Sequence, residues 1–510
     1  VDHDVDTEAL FTRLYSGSTW AFWLDSALVK PGLARFSFMG DASGPLAESV
    51  TYRVGEGAVQ VSASGGGSRR VDGTIFDYLR RELARRWVDL PELPFDFGCG
   101  YVGYFGYELK ADCGSSNVHR ADSPDAVLLF ADRMIAVDHE QGRVYLLALR
   151  DRFAGSDSGA GQWLEETAGT VRAMPRAGVR RPAGPVTVAQ EVAEHLLVRD
   201  REQYLSDIDE CRLNLLAGES YEICLTDSVR IPATQDSYAF YRRLRRMNPA
   251  PYAAFLRLPS VTVACSSPER FLRVDRHRTV ESKPIKGTEP RGRTPAEDAR
   301  RSRALTASAK TRAENLMIVD LVRNDLGRVC DVGSVHVPRL MAVETYETVH
   351  QLVSTVRGRL RQDATTVDCI QACFPGGSMT GAPKLRTMEI IDSLETEARG
   401  VYSGAIGFLG LNQTADLNIV IRTAVLSDGE WRVGAGGAIV LDSDAEAEYD
   451  EMLLKAMATL RAHDALTTGA AADPSKADQL AGQAAGAGGT VRHAAWEPAV
   501  SVWDGVNSDG

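Results

Sequence analysis

Residues 308–329 read SAKTRAENLMIVDLVRNDLGRV, and the rest of the chain is best read outward from them. Apolar residues recur at helical spacing, so one amphipathic helix is expected over 304–322. Glu314 stands just ahead of an almost wholly apolar stretch, and a carboxylate buried there needs a cation. Further helices are expected at 201–216, 388–394 and 446–460, alternating with strand-like runs at 260–264 and 419–426. These form a dense block, 199–462. Upstream, 1–152 reads as a mostly β N-terminal domain, with strands such as Val50-Thr51-Tyr52-Arg53-Val54 and one helix near 76–87. Between the two, 153–198 is rich in Gly, Ala, Ser and Pro and reads as a linker or excursion. Beyond it all, 463–510 is an Ala/Gly-rich tail too poor in apolar residues to fold alone. There is no internal repeat.

The chain has 510 residues, 44% hydrophobic and 25% charged, which suits two ordinary globular domains. Its 57 basic and 69 acidic residues give a net charge of −12, against nucleic acid or an anionic membrane as partner. No apolar run reaches the roughly 18 residues of a membrane span. The N-terminus Val1-Asp2-His3-Asp4 lacks both signal-peptide order and a starting Met, as expected of a piece of a longer chain. The eight cysteines are scattered through apolar stretches, which reads as free thiols in a reducing cytoplasm rather than disulfides or zinc ligands.

Several residues could carry chemistry. Lys286, between Ile285 and a Gly-Thr turn, could be held rigid and desolvated with a lowered pKa, as a nucleophilic amine requires; a plain surface lysine is the alternative. Glu448 and Glu451 share one helix face, where with Glu314 they offer hard oxygens suited to Mg²⁺. A solvated face with a Glu451–Lys455 ion pair competes with that reading. In FPGGSMTGAPK, 374–384, Pro383 sits at a helix start whose free amides could hold a carboxylate. Gly434-Ala435-Gly436-Gly437 is a glycine turn of less specific meaning. Arg422, inside the apolar run 419–425, must meet an anion, from the protein or from a ligand. His350 is either a polarising group or a core histidine.

PIKGT at 284–288, the 308–329 stretch, FPGGSMTGAPK and DAEAEYDEMLLKA at 444–456 occur in one order. In that order the chain resembles the chorismate-utilising enzymes, and within them the component I type of aminodeoxychorismate synthase. The resemblance implies an α/β (α+β) fold, a two-layer antiparallel β-sandwich with outer helices. It implies conversion of chorismate and ammonia to 4-amino-4-deoxychorismate, toward p-aminobenzoate for folate or a secondary metabolite. Lys286 would attack the ring covalently and Glu269 would protonate the departing C4 hydroxyl. Mg²⁺ would be held by Glu314 and Glu451, with Glu448 acting through water. Tyr402, Arg422, Gly434, Gly436, Gly437, His350, Ser378, Thr380 and Lys384 would bind substrate.

Two departures matter. Where isochorismate and salicylate synthases place a water-activating lysine, this chain has Glu222, and most amide-nitrogen relatives have Gln. Thr311 replaces an acidic residue common three positions before the first Mg²⁺ ligand, removing a charge from the metal's surroundings. An anthranilate synthase component I carries Ala in place of Lys286 and is the nearest rival. A regulatory chorismate- or tryptophan-binding relative is the rival of another class.

The N-terminal half resembles the family's tryptophan site at Ser26, Leu33, Ala34, Arg35 and Phe36, joined by Pro251, Tyr252 and Ala253. No cysteine stands in the GxCxGxQ context of a glutamine amidotransferase. The resemblance therefore implies an amidotransferase subunit, or a fused upstream domain, as the partner that delivers ammonia.

Overall fold

The computed structural model describes residues 1–29, 33–150, 159–178, 188, 190–233, 236–346 and 349–463. Short runs of Val, Ile, Phe and Tyr pair antiparallel into two large sheets, as β-branched and aromatic side chains favour. In spatial order the first sheet runs Gly381–Ala382, Glu222–Pro232, Glu430–Ile439, Thr423–Ser427, Thr262–Ser267, Tyr252–Arg257, Ala21–Asp25, Phe36–Asp41, Arg133–Asp138 and Arg143–Ala148. The second starts at Ile285–Pro290 and Val349–Arg359, crosses Thr279–Lys283, Arg270–Val274, Ala415–Ile419, Ala405–Gly410 and Gly100–Phe105, and ends in strands from residues 48–131.

Both sheets therefore mix strands from the two halves of the chain. Ala21–Asp25 pairs with Tyr252–Arg257, and Gly100–Phe105 pairs with Ala405–Gly410. The boundary drawn near 152 does not separate two sheets or two cores, because each early strand finds its partner far along the sequence.

Apolar side chains fill three layers. Phe22, Phe38, Val102, Leu256 and Phe408 lie between the sheets, where Phe97 stacks on Phe408 with ring centroids 4.3 Å apart. Helices Thr7–Leu14, Arg201–Leu216, Ser237–Met247 and Ala445–Leu460 cover the first sheet's outer face. Ile75–Arg85, Ala309–Gly327 and Thr366–Cys373 cover the second's. The sandwich with outer helices is the architecture expected from the sequence.

Two local expectations change. The helix expected over 304–322 is two, Pro295–Ala307 and Ala309–Gly327, broken at Ser308, whose hydroxyl accepts from the Thr311 amide and caps the second helix. The strand expected over 419–426 is also two, because Ala415–Ile419 belongs to one sheet and Thr423–Ser427 to the other. Arg422 lies at that crossing with a φ of 52°, in the left-handed region that side chains rarely adopt. Of the expected linker, Ala160–Ala173 is a helix against Arg143–Ala148, while 153–158 and 179–187 lie outside the described residues. The tail from 464 onward lies outside them too. All eight cysteines are free, and seven are buried. Among the described residues no helix is long and apolar enough to cross a membrane.

Candidate active site

The edge strand Ile285–Pro290 of one sheet and the short edge strand Gly381–Ala382 of the other both pack against Ala309–Gly327. Ala445–Leu460 lies against Glu430–Ile439 and closes the same end. This corner gathers most of the residues singled out from the sequence.

At its centre Lys286 Nζ donates to Glu222 Oε1 at 2.6 Å. The Glu222 side chain is fully buried and that of Lys286 nearly so. Burial pulls the ammonium down, as the sequence suggested, but Glu222 and Glu314 outweigh it and hold Lys286 above the usual lysine range. The lowered pKa expected for Lys286 is thus corrected, since a carboxylate lies against the amine. Gly287 turns the chain at a φ of +85°, and a Cβ there would meet Thr311 Cγ2 at 2.4 Å. The Gly-Thr turn is thereby locked onto the helix that carries Glu314.

Glu269 leads into Arg270–Val274 and is buried. Burial pushes its carboxyl up to about 7, against hydrogen bonds from the Ser378 hydroxyl and the Ile285 amide and the charge of Lys286. A narrow cleft beside it is walled by Gly376, Gly377 and Ser378. A carboxylic acid that keeps its proton near neutrality can protonate a leaving hydroxyl.

The carboxylates of the two helices face the same corner, but Lys310 takes the position between them. Its Nζ lies 2.6 Å from Glu448 Oε1 and 3.9 Å from Glu314 Oε1. The Ser443 hydroxyl also donates to Glu448 Oε1, at 2.7 Å. Burial, with Glu222 and Glu448 as like charges, raises Glu314 despite Lys286 and Lys310. Glu451 pairs with Lys455 at 2.8 Å, the competing arrangement foreseen for this helix. Among the described residues no group of three or more His, Cys, Asp or Glu side chains converges to hold a metal as they stand. The donors fit a hard cation in kind, all carboxylates and crowded enough to repel one another. Lys310 supplies the compensating charge in this conformation.

Arg422 projects from the crossing between the sheets. Its half-buried guanidinium has no side-chain or backbone acceptor among the described residues, and burial alone lowers its pKa. A guanidinium held half-buried without a protein anion keeps its capacity to pair with one. Gly434 is required by Tyr402, whose ring would lie 2.3 Å from a Cβ at that position. Gly434, Gly436 and Gly437 stand inside the strand Glu430–Ile439 rather than in a turn between strands. From Gly434 onward that strand pairs only with Glu222–Pro232, so its other edge has no strand partner. Lys455 donates to the Gly436 carbonyl at 2.8 Å.

Three of the expected substrate ligands are engaged elsewhere. Both ring nitrogens of His350 are hydrogen-bonded, to Asp298 Oδ1 and Thr345 Oγ1 at 2.9 Å each, the arrangement of a satisfied core histidine. Lys384 Nζ donates to Asp325 at 2.6 Å and to the carbonyls of Cys373 and Pro375, which fixes the glycine loop from behind. Thr380 is fully buried and bonds the Gly376 and Gly377 carbonyls. Lys384 and Thr380 shape the loop that presents Ser378 to Glu269.

Away from this corner, a cavity of about 310 Å³ opens between the sheets. Ser26, Leu33, Ala34, Arg35, Phe36, Pro251, Tyr252 and Ala253 all line it, with Asp416, Asn418 and Arg270. It has an apolar wall and charged groups of both signs, and Arg270 in that wall adjoins Glu269 in sequence.

The sequence pattern of the chorismate binding enzymes matches residues 47–461. The chain belongs to that family. An aminodeoxychorismate synthase of Streptomyces pristinaespiralis is 52% identical over 90% of this chain, and the chain spans 63% of that protein's length. Anthranilate synthase component 1 of Streptomyces coelicolor is 36% identical, over 91% of this chain and 87% of that protein. The crystal structure of anthranilate synthase component I from Streptococcus pneumoniae superposes with a TM-score of 0.70 at 27% identity, covering 85% of this chain and 93% of that one.

Within this member of the chorismate binding enzymes, two site residues escaped the sequence reading. Glu222 was noted as a departure but not as the partner of Lys286. Lys310 was not singled out, although its place one turn before Glu314 was visible as an i,i+4 pair.

Proposed function

We propose that the chain is the chorismate-aminating part of an aminodeoxychorismate synthase, converting chorismate and ammonia to 4-amino-4-deoxychorismate. The observation that carries this reading is the buried Lys286 held in one corner with Glu269, whose carboxyl burial raises to about 7, a candidate nucleophile and a candidate general acid together. The higher identity to the aminodeoxychorismate synthase than to the anthranilate synthase supports it.

Arg422 holds the side-chain carboxylate of chorismate, against the Tyr402 ring, and the free edge of Gly434–Gly437 receives the ring carboxylate. Glu269 gives its proton to the C4 hydroxyl. Lys286 adds at C2, and ammonia then displaces it by adding at C4. Glu314 and Glu451, with Glu448 behind them, are the residues that would hold Mg²⁺, which when bound neutralises the ring carboxylate. Ammonia comes from glutamine through an amidotransferase, as a subunit or a fused domain. The cavity lined by Arg35 and Tyr252 takes tryptophan.

The test is incubation with chorismate, ammonium and Mg²⁺, with products identified by mass. Aminodeoxychorismate is expected, and Lys286→Ala loses it while remaining folded. Anthranilate from the parent chain would assign it to the rival activity instead.

A further inference from the structure

Glu222 is the residue for which the reaction as drawn has no use. It opens the strand Glu222–Pro232, next to the edge strand Gly381–Ala382 and paired with Ala382, and its side chain is fully buried. One carboxylate oxygen takes the Lys286 ammonium at 2.6 Å, while Oε2 is buried and has no hydrogen-bond partner among the described residues. Oε2 is thus an open acceptor position within the carboxylate that already holds the Lys286 amine. The ammonium beside it must lose a proton before it can attack. We propose that Glu222 is the proton carrier of Lys286, accepting the amine's proton as the covalent bond forms and returning it when the bond breaks; this rests on the covalent reading above.

The step balances without solvent. Nζ passes one proton to Glu222, and its lone pair forms the bond to C2. The two ring double bonds each shift one place, the C4–O bond breaks, and the oxygen leaves as water with the proton from Glu269. Ammonia then forms the C4–N bond, the double bonds shift back, and the C2–Nζ bond breaks. The freed amine recovers its proton from Glu222, and Glu269 recovers its own from the new C4 ammonium. The net change is chorismate plus ammonia to product plus water.

Other groups face Lys286. Cys224 lies on the same strand as Glu222, Glu314 on Ala309–Gly327, Glu451 on Ala445–Leu460, and Glu269 beside Ile285. None of them is within ion-pair distance of Nζ, so Glu222 is the nearest base by geometry.

The experiment follows adduct formation on the chain by intact mass after rapid acid quench, with chorismate and no ammonium, between pH 6 and 9. Glu222→Gln keeps the shape but cannot take a proton, so Lys286 must lose its proton to water. The variant's rate relative to the parent is expected to be well below one at pH 6.5 and to climb by about tenfold per pH unit toward pH 9, as the free fraction of an ordinary lysine amine does. The ratio cancels the titration of Glu269, which both chains share. Glu222→Asp is expected to be slower with the parent's pH profile, and it decides the matter if the Gln variant fails to bind chorismate. A ratio that does not change with pH, or an Asp variant whose rate climbs with pH as a bare amine's would, overturns the role of Glu222. No adduct on the parent chain at any pH removes the covalent reading itself, and this inference with it.

Discussion

Lys310 Nζ and Glu448 Oε1 stand 2.6 Å apart, an ion pair whose carboxylate is buried and whose lysine comes from a different helix. On the Mg²⁺ assignment proposed above, Glu314 and Glu448 would need a divalent cation near this ammonium. Cation and lysine would then compete for the same carboxylates. Lys310→Met is expected to bind Mn²⁺ or Mg²⁺ about tenfold more tightly, read by calorimetry on the protein without substrate. Unchanged or weaker binding would count against the competition. Glu314→Gln, by contrast, should weaken the same binding, because a hard anionic ligand is lost from a small set.

Glu269 gives the pH dependence a sign. Its carboxyl, raised to about 7 by burial, is protonated below that value and loses its proton above it. Acid catalysis is thus present at pH 6 and lost as the pH rises through 7. Adduct formation without ammonium is expected to fall by about tenfold between pH 6 and pH 8 and by about tenfold for each further pH unit. Glu269→Gln should show no such limb, at a rate at least about a hundredfold lower. A limb retained in the Gln variant would assign the titration elsewhere.

Gly434→Ala drives a methyl into the Tyr402 ring, 2.3 Å from its Cγ. The ring must move or the strand must bend, at a cost of about 1–3 kcal/mol in stability. The chorismate KM is expected to rise more than kcat falls if Tyr402 walls the substrate site as proposed. Denaturant unfolding and steady-state kinetics on one preparation test both parts.

L-Tryptophan should raise the melting temperature if it fills the cavity between the sheets, by mass action on the folded state. Ala253→Leu narrows that cavity from the side and is expected to abolish the shift while leaving adduct formation at Lys286 intact. Equal shifts in both chains would place tryptophan elsewhere.

Much of the corner was legible because its residues sit in local patterns. Glu448 and Glu451 share a face by helical spacing, and the structure gives them different lives: Glu448 is buried against Lys310, while Glu451 is half-exposed against Lys455. Arg422 was legible as a charge in an apolar run, yet the run conceals a change of sheet. Strands buried on both faces read as continuous apolar sequence, so periodicity cannot mark where one ends. The 2.6 Å approach of Glu222 to Lys286 joins the two sheets, and no local pattern encodes it. The sandwich itself came from the resemblance. Its interleaved order lay beyond any window of sequence, since each pairing partner is remote.

That interleaving constrains how the chain is made. Ala21 is paired with Arg257, so the first strand has nothing to close against on that side until the ribosome has finished the second. At synthesis rates of about 5–20 residues per second, the nascent N-terminal strands wait about ten to fifty seconds with an open edge. Gly100–Phe105 waits longer still for Ala405–Gly410. Open edges of this kind are templates for mispairing between neighbouring nascent chains. Slowing translation before residue 250 is therefore expected to lower the yield of folded protein in a cell.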